Sequence, residues 1–231
     1  MIAFGVTKYG PISTIHQLDL PTPEPGAGQV RVRVMASAIN PADFKVIEGK
    51  MKFLHGRRMP LVVGYDFSGV IDAVGSGVEG FHKGEEVFGF LPYAPTNNRG
   101  AFAAFVVAST KEIAKKPAKI SHLTAATAAT TGLTTMQALR DLGKVPRGGR
   151  VLVTGASGGV GSIAVGIALK LGAEVTAVGT GWGLETARRL GAKEVIERSE
   201  LGSLGEAQFD VVFDAAAAYR VKNFRRYRGA G

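Results

Sequence analysis

The sequence predicts an α/β protein in which a small, barrel-like β domain precedes a doubly wound Rossmann domain. Short strands separated by glycine turns fill the first half of the chain, and β and α segments alternate in the second half. A glycine-rich turn at residues 155–161 joins an apolar strand to a helix. We expect residues 1–120 to form the first domain and residues 121–231 the second.

Composition excludes several classes of protein and site. The 231 residues are 45% hydrophobic and 20% charged, which is typical of a folded globular protein. Cysteine is absent, which excludes disulfides, thiolate nucleophiles and thiolate-bound metals, and fits an intracellular protein. We expect no metal site, because the four histidines are dispersed without ligand spacing: His16, His55, His82 and His122.

The net charge of +9 comes in large part from one short segment. Residues 220–231 contain five basic residues and no acidic one, which is about half of the excess. We interpret this segment as a solvated helix face, so nucleic acid is not an expected partner. The sequence also shows neither a signal peptide nor an apolar run of membrane-spanning length, which predicts a cytoplasmic location without membrane contact.

The first half of the chain predicts β structure. Residues 29–36 alternate apolar and polar side chains, which is the period of a half-buried strand. They follow a proline-rich segment, residues 21–26, in which a helix cannot form. Further strands are predicted at residues 68–74, 86–91 and 101–108. Many short strands between glycine turns indicate a small barrel.

The second half predicts alternating helices and strands. Ser121 is a good N-cap for a helix, and residues 133–142 read as helical up to Gly143. An apolar strand is predicted at residues 151–154. After it, helices are predicted at 160–171 and 184–190, and strands at 174–178, 194–196 and 209–213. This alternation is typical of a parallel, doubly wound sheet.

The glycine-rich turn is predicted to hold the pyrophosphate of a dinucleotide. Backbone must approach a pyrophosphate closely, and a helix N-terminus offers unpaired N–H groups and the positive end of a dipole. The alternative is a strand-to-helix turn that binds nothing, and the strand and helix around the turn argue against it. The predicted cofactor-binding residues of this turn are Gly155, Ser157, Gly158, Gly159, Val160 and Gly161.

The choice of cofactor is expected to be made at the end of the second strand. An NAD enzyme usually has an acidic residue there, whereas this strand ends in Val178-Gly179-Thr180-Gly181. Arg188, Arg189 or Arg198 could meet a 2′-phosphate, although a solvated helix face explains the first two equally well. We therefore predict NADPH as the cofactor, with Thr180 and Arg198 among the residues that bind it.

The resemblance to a known family rests on segments that follow one another along the chain, namely residues 38–43, 63–70 with 74–78, 99–103, 131–134 and 155–161. In this order and spacing they resemble the zinc-independent quinone oxidoreductase group of the medium-chain dehydrogenases/reductases. The resemblance implies a GroES-like β domain beside the Rossmann domain, with the nicotinamide in the cleft between them. It also implies NADPH-dependent hydride transfer, without a metal, to a small-molecule quinone or α,β-unsaturated carbonyl.

Zinc members of this superfamily bind their metal through cysteine and histidine, and the matching stretches here lack both. They read Asn40-Pro41, Gly64-Tyr65-Asp66 and Thr127, so zinc catalysis is not expected. Without a Lewis acid, an electron-poor substrate that accepts hydride directly suits the site better than an alcohol does.

The resemblance places three candidate catalytic residues in the cleft. Asn40 could donate to a carbonyl oxygen or to the nicotinamide, or it could be a turn residue. Tyr65 could donate a proton or stack, or be structural; Thr131 could reach the nicotinamide ribose or amide, or cap a helix. Asp43 and Lys45 could pair and line the cleft, or form an exposed pair.

The sequence also departs from the group. A tyrosine that often follows the asparagine segment is Phe44 here, and no basic residue is obvious after the Gly-Thr turn. Family members continue beyond the point where this sequence stops, which implies that the cofactor sheet and the β domain are incomplete. A second interpretation is therefore a nucleotide-binding or interaction module without turnover. A homodimer is compatible with either interpretation.

Overall fold

Two antiparallel sheets form the first half of the chain. The computed structural model describes residues 1–55, 59–93, 99–206, 208–217 and 221–229, so Arg220 and the last two residues of the basic segment lie outside the described part. The strands of the first half are β1 Ile2–Val6, β2 His16–Asp19, β3 Gln29–Ala38, β4 Leu61–Val62, β5 Asp66–Val74, β6 Glu86–Phe90, β7 Phe105–Ser109 and β8 Ile113–Lys115, and its helices are α1 Pro41–Ile47 and α2 Lys52–His55.

The larger sheet of this half has five strands in the order β7-β3-β5-β6-β8, and the smaller has the order β2-β1-β4. The predicted strands at 29–36, 68–74 and 86–91 correspond to β3, β5 and β6. The alternating side chains of these strands supply a shared core, to which each large apolar residue contributes about 1.5–3 kcal/mol. Its buried residues include Val30, Val32, Phe67, Ile71 and Val87.

One predicted strand of this half, and the alternative that Asn40 is only a turn residue, need correction. The strand predicted at 101–108 begins only at Phe105, and Ala103 forms an isolated bridge with Ala3 instead. The segment after Asn40 is not a simple turn but the helix α1. Its first residue is Pro41, which suits that position because a first-turn N–H has no intrahelical partner.

The second half contains a four-stranded parallel sheet in the order β11-β10-β9-β12. The strands that follow β9 are added on one side of it as β10 and β11, and then on its other side as β12. The strand order therefore reverses beside β9, and ligands of such sheets bind at the carboxyl ends of the strands at this point. The elements are α3 His122–Met136, continued by a π-helical stretch Gln137–Leu142, then β9 Arg150–Thr154, α4 Gly159–Lys170, β10 Glu174–Gly179, α5 Trp182–Leu190, β11 Glu194–Glu197, a 3₁₀ segment Arg198–Ser203, β12 Val211–Asp214 and α6 Val221–Phe224.

The chain divides into two units, Met1–Thr130 and Thr131–Gly231. This division falls inside α3, whereas the predicted boundary at Ser121 lies just before that helix. The two helical segments predicted on either side of residue 130 are therefore one continuous helix. No helix in the described part of the chain is long and apolar enough to cross a membrane.

The basic segment is tied to the second unit through an aromatic residue. Of the segment interpreted as a helix face, α6 covers Val221–Phe224, and residue 220 lies outside the described part. Tyr227 is buried, the guanidinium of Arg226 lies 4.5 Å from its ring centroid, and Phe209 forms a parallel bridge with Arg228. The segment therefore packs against the second unit through Tyr227, and its described basic side chains are exposed.

Candidate functional site

The glycine loop occupies the connection between β9 and α4. β9 ends at Thr154 and α4 begins at Gly159, with Gly158 as its N-cap in an extended conformation. Because α4 runs for 12 residues from this loop, its first N–H groups and the positive end of its dipole face the carboxyl ends of the strands. The predicted strand–turn–helix is therefore present at the predicted place.

The glycines of this loop divide into two kinds. Gly155 has φ +70, and a Cβ there would lie 2.9 Å from the backbone N of Ala216; a Cβ at Gly161 would overlap the carbonyl oxygen of Gly155. These two positions require glycine for the turn and for close helix–strand packing. Gly158 and Gly159 are exposed, and a Cβ would come no closer than 3.4 and 3.6 Å to another atom. The start of α4 is therefore open enough for an anion.

Ser157 fastens the loop to the end of β10. Its Oγ donates to the carbonyl oxygen of Thr180 and accepts from the N–H of Thr180, both at 2.7 Å. A Cβ at Gly183 would overlap Ser157, and one at Gly179 would lie 2.5 Å from its hydroxyl. The structure thus uses the Ser157 hydroxyl to hold the loop against β10, and the two glycines give it room.

A pocket of about 90 Å³ lies at this end of the parallel sheet. It brings together four residues predicted from the sequence to bind the cofactor, although Arg198 follows β11 and the others belong to the glycine loop and β10. None of the eight described residues that line the pocket is acidic. They are Thr154, Gly155, Ser157, Val178, Gly179, Thr180, Arg198 and Ala216.

The two other candidate arginines lie in the last turn of α5. Arg188 forms an ion pair of 3.5 Å with Glu185, and Arg189 donates to Thr186. These contacts agree with the solvated helix face that was the alternative for both. Of the three arginines considered for a 2′-phosphate, Arg198 is the one that lines the pocket.

Thr131 lies beside the start of α4. It is 8% exposed, and its Cγ2 is 3.6 Å from the position of a Cβ on Gly159. Its carbonyl oxygen accepts from the hydroxyl of Thr135 at 2.7 Å. Since Thr131 is in the middle of α3, the helix-capping alternative is wrong, and its methyl group packs near the glycine loop.

Asn40 is held by two aspartates in the first unit. Its backbone N–H donates to Asp43 Oδ2 at 2.6 Å, and its Nδ2 donates to Asp66 Oδ2 at 2.9 Å. Because a carboxylate accepts and does not donate, the contact with Asp66 fixes which end of the Asn40 amide is the nitrogen. Asp66 Oδ1 in turn accepts from the backbone N–H of Thr130 at 3.1 Å and from its hydroxyl.

Asp43 is the most unusual carboxyl group of this cluster. It is 1% exposed, and its buried Oδ1 has no hydrogen-bond partner among the residues that the structure describes. Burial, opposed by the hydrogen bond from the backbone of Asn40, raises the pKa of Asp43 to about 6. The predicted pairing with Lys45 is wrong, because Lys45 is exposed and residues two apart do not face each other on a helix.

Tyr65 belongs to the core of the β unit. It is fully buried, its ring centroid lies 4.3 Å from that of Tyr93, and burial raises its pKa. The ring packs against another protein ring at an interplanar angle of 48°, which favours the structural alternative over a role as proton donor. In the described part of the chain, no cluster of three or more histidine, aspartate or glutamate residues could hold a metal ion.

Sequence comparisons agree with this architecture. The family described as alcohol dehydrogenase GroES-like domain matches residues 26–118. A chloroplast envelope quinone oxidoreductase homolog from Arabidopsis thaliana is 32% identical, over 94% of this chain and 68% of the relative. The chain belongs to the quinone oxidoreductase family of medium-chain dehydrogenases/reductases. The 2-methylene-furan-3-one reductase of Solanum lycopersicum, at 31% identity, is matched over 93% of this chain and 57% of its own length.

Solved structures of this oxidoreductase family show the same fold. The quinone oxidoreductase from Coxiella burnetii has a TM-score of 0.82 at 32% identity and is matched over 94% of this chain and 68% of its own chain. A mycobacterial protein solved in complex with NADPH has a TM-score of 0.74 at 30% identity, over 85% of this chain and 58% of that chain. The predicted family and fold class are confirmed, and the chain spans roughly three fifths to two thirds of these proteins.

Asp43 gives this family member a testable dependence of stability on pH. Since the folded state raises the pKa of Asp43 from 3.8 to about 6, the folded protein binds more protons than the unfolded one between these values. Stability is therefore lost as the pH rises through this window. Asparagine does not titrate, so Asp43→Asn lacks this loss. Relative to the wild type, we expect its free energy of unfolding to rise by up to about 3 kcal/mol between pH 4 and pH 7.

Urea unfolding of both proteins at half-unit pH steps measures this difference. The amide oxygen of the new asparagine can still accept the N–H of Asn40, so the cap of α1 is kept. Asp19→Asn is the matched control, because the side chain of Asp19 is 93% exposed. Parallel stability curves for the wild type and Asp43→Asn would contradict the burial argument.

Proposed function

We propose that the chain binds NADPH and transfers hydride to a quinone or an α,β-unsaturated carbonyl without a metal. The observation that carries this proposal is the pocket at the carboxyl end of the parallel sheet, beside the open N-terminus of α4. Its described lining contains an arginine and no acidic residue. The names of the two relatives, a quinone oxidoreductase homolog and a reductase of an enone, support the substrate class. The mycobacterial NADPH complex supports the cofactor.

The residues of the second unit fit such a cofactor. The backbone of Gly158 and Gly159 is exposed, and no atom lies closer than 3.4 Å to the position of a Cβ on either residue. This leaves room for a pyrophosphate at the start of α4. Arg198 supplies a positive charge for a 2′-phosphate. The hydrogen bonds between Ser157 Oγ and the backbone of Thr180 hold the loop against the end of β10. When bound, NADPH supplies the hydride. Thr131 helps to position the start of α4 from the side of α3.

In the first unit we propose Asn40 as the hydrogen-bond donor to the substrate oxygen. Asp66 accepts a hydrogen bond from one of the two N–H groups of Asn40 Nδ2, and the other N–H is available for a carbonyl oxygen. An amide and a buried tyrosine, which stand where zinc members carry ligands, are poor donors for zinc. Reduction would then depend on positioning and on hydrogen bonds to the developing negative charge.

A binding module without turnover is the alternative. The loop, β9, α4 and β10 all lie within the second unit, so the proposed pyrophosphate site is formed by this unit. NADPH oxidation followed at 340 nm with a quinone and with an enone separates the two proposals, if nucleotide binding is measured on the same sample. The predicted cytoplasmic location stays a prediction, since one relative is named for the chloroplast envelope.

The wild type is expected to bind NADPH at least tenfold more tightly than NADH, because the pocket offers Arg198 and no acidic acceptor for a ribose hydroxyl. Arg198→Ala should weaken NADPH binding about tenfold and leave NADH binding unchanged, since a hydrogen bond to a charged group contributes roughly 1.5–3 kcal/mol. Fluorescence titration with both cofactors measures this. Arg188→Ala is the matched control, and equal affinity of the wild type for NADH and NADPH would contradict the assignment.

A further inference from the structure

Trp182 is the only tryptophan of the chain, and 75% of it is exposed. It is the first residue of α5, two residues after Thr180 at the rim of the pocket. An exposed apolar side chain is by itself unremarkable in a folded protein. What distinguishes Trp182 is that the backbone on both sides of it packs closely against the glycine loop.

The residues on both sides of Trp182 are fixed against the glycine loop. Gly181 has φ 54 and ψ −136, a conformation that is essentially restricted to glycine. Gly183 packs so closely on Ser157 that a Cβ would overlap it. Thr180, just before Gly181, is hydrogen-bonded to the Ser157 hydroxyl through both its N–H and its carbonyl oxygen. The indole therefore leaves the backbone at a defined position beside the pocket.

The pocket also indicates which part of a dinucleotide would lie there. The end of the second strand of such a unit meets the ribose that carries adenine, and here that end is Gly179 and Thr180. Arg198 lines the same pocket. Adenine is a planar aromatic ring, and an exposed indole is the side chain with the largest π surface on which a base can stack.

We propose that Trp182 is the stacking platform for the adenine ring of the bound dinucleotide. The proposal rests on the proposed binding of NADPH and adds to it a residue that sets affinity for the adenosine half. Trp182 binds the base, Arg198 the 2′-phosphate, and the start of α4 the pyrophosphate. Stacking also covers indole surface that is exposed in the free chain.

The test uses 2′,5′-ADP, which contains adenine and the 2′-phosphate but no nicotinamide. Calorimetry gives its affinity for the 231-residue chain, and the emission of the single tryptophan gives its contact with the base. We expect 2′,5′-ADP to quench this emission and nicotinamide mononucleotide to leave it unchanged. Trp182→Ala should weaken 2′,5′-ADP binding about tenfold, which corresponds to about 1.4 kcal/mol. Trp182→Phe, which keeps an aromatic face, should stay within about threefold of the wild type.

Leu190→Ala is the matched control, because Leu190 is 45% exposed at the other end of α5. It should bind 2′,5′-ADP as the wild type does. If Trp182→Ala binds 2′,5′-ADP as tightly as the wild type, the stacking proposal is overturned while NADPH binding stands. If the wild type shows no binding of 2′,5′-ADP by calorimetry, the proposed NADPH specificity fails, and the stacking proposal with it.

Discussion

Gly158→Asp is expected to abolish NADPH binding while the protein stays folded. The new carboxylate would stand at the N-cap of α4, where we place the pyrophosphate. Two unit charges 4 Å apart near a protein surface repel by about 4 kcal/mol, which is roughly a thousandfold in affinity. The fold tolerates the change, because Gly158 has φ −87 and is exposed, and the nearest atom to its Cβ position is 3.4 Å away.

Three variants of the same loop and helix separate charge from bulk and from folding. Gly158→Ala adds a methyl group without a charge and should weaken NADPH binding far less than Gly158→Asp. Gly166→Ala, in α4 with nothing near its Cβ position, should bind normally and be stabilised by roughly 0.5–1 kcal/mol. Gly161→Ala should unfold more easily, because its Cβ would overlap the Gly155 carbonyl oxygen. Unchanged NADPH affinity of Gly158→Asp in a fluorescence titration would mean that the phosphate site lies elsewhere.

The second half of the fold could be predicted from the sequence because its signals are local. An apolar run gives β9, a glycine-rich turn gives the loop, and a regular alternation gives the following elements. Each of these patterns lies within about 20 neighbouring residues, so no distant contact is needed to interpret it. The observed bounds of β9, α4, β10 and α5 differ from the predicted ones by one or two residues.

The sequence favours Arg198 over Arg188 and Arg189 only because a solvated helix face explains the other two. That Arg198 lines the pocket could not be predicted, because the pocket is assembled from distant segments. Arg198 follows β11, whereas the loop that it faces precedes α4. Arg188 and Arg189 are nearer in sequence to Thr180, yet they lie in the last turn of α5. The parallel order of β9, β10 and β11 brings Arg198 to the pocket, and sheet order is not a local property.

The aspartate cluster could not be predicted for a related reason. Carboxylates are normally exposed, so Asp43 was interpreted as one half of an ion pair, and Asp66 was noted only in a stretch that lacks zinc ligands. Their burial depends on partners far away in sequence. Asp66 accepts from Thr130, 64 residues later, and from Asn40, 26 residues earlier. The one part of the cluster with a sequence signal is the spacing of Asn40 and Asp43. An N-cap residue followed three residues later by an acidic residue is typical of the start of a helix, here α1.

Asp66→Ala is expected to lower the free energy of unfolding by at least about 3 kcal/mol. It removes the acceptor of three donors, the N–H and hydroxyl of Thr130 and the Nδ2 of Asn40, in a fully buried place. The three donors are partly buried, so each one left without a partner costs about 1 kcal/mol, the low end of the range for buried groups. Urea unfolding at pH 7 measures the loss, and a loss below about 1 kcal/mol would mean that these bonds contribute little.

Asp66→Asn separates this structural role from the positioning of Asn40. The oxygen of the new amide can keep both bonds from Thr130, and burial of a carboxylate, which raises the pKa of Asp66, is avoided. The new amide nitrogen would instead face Asn40 Nδ2, and the Asn40 amide must turn over to present its oxygen. We expect less than half of the stability loss of Asp66→Ala and unchanged NADPH affinity. Turnover should fall about tenfold, since the turned amide no longer offers its N–H to the substrate oxygen. Wild-type turnover of Asp66→Asn would show that the orientation of Asn40 does not matter to the reaction.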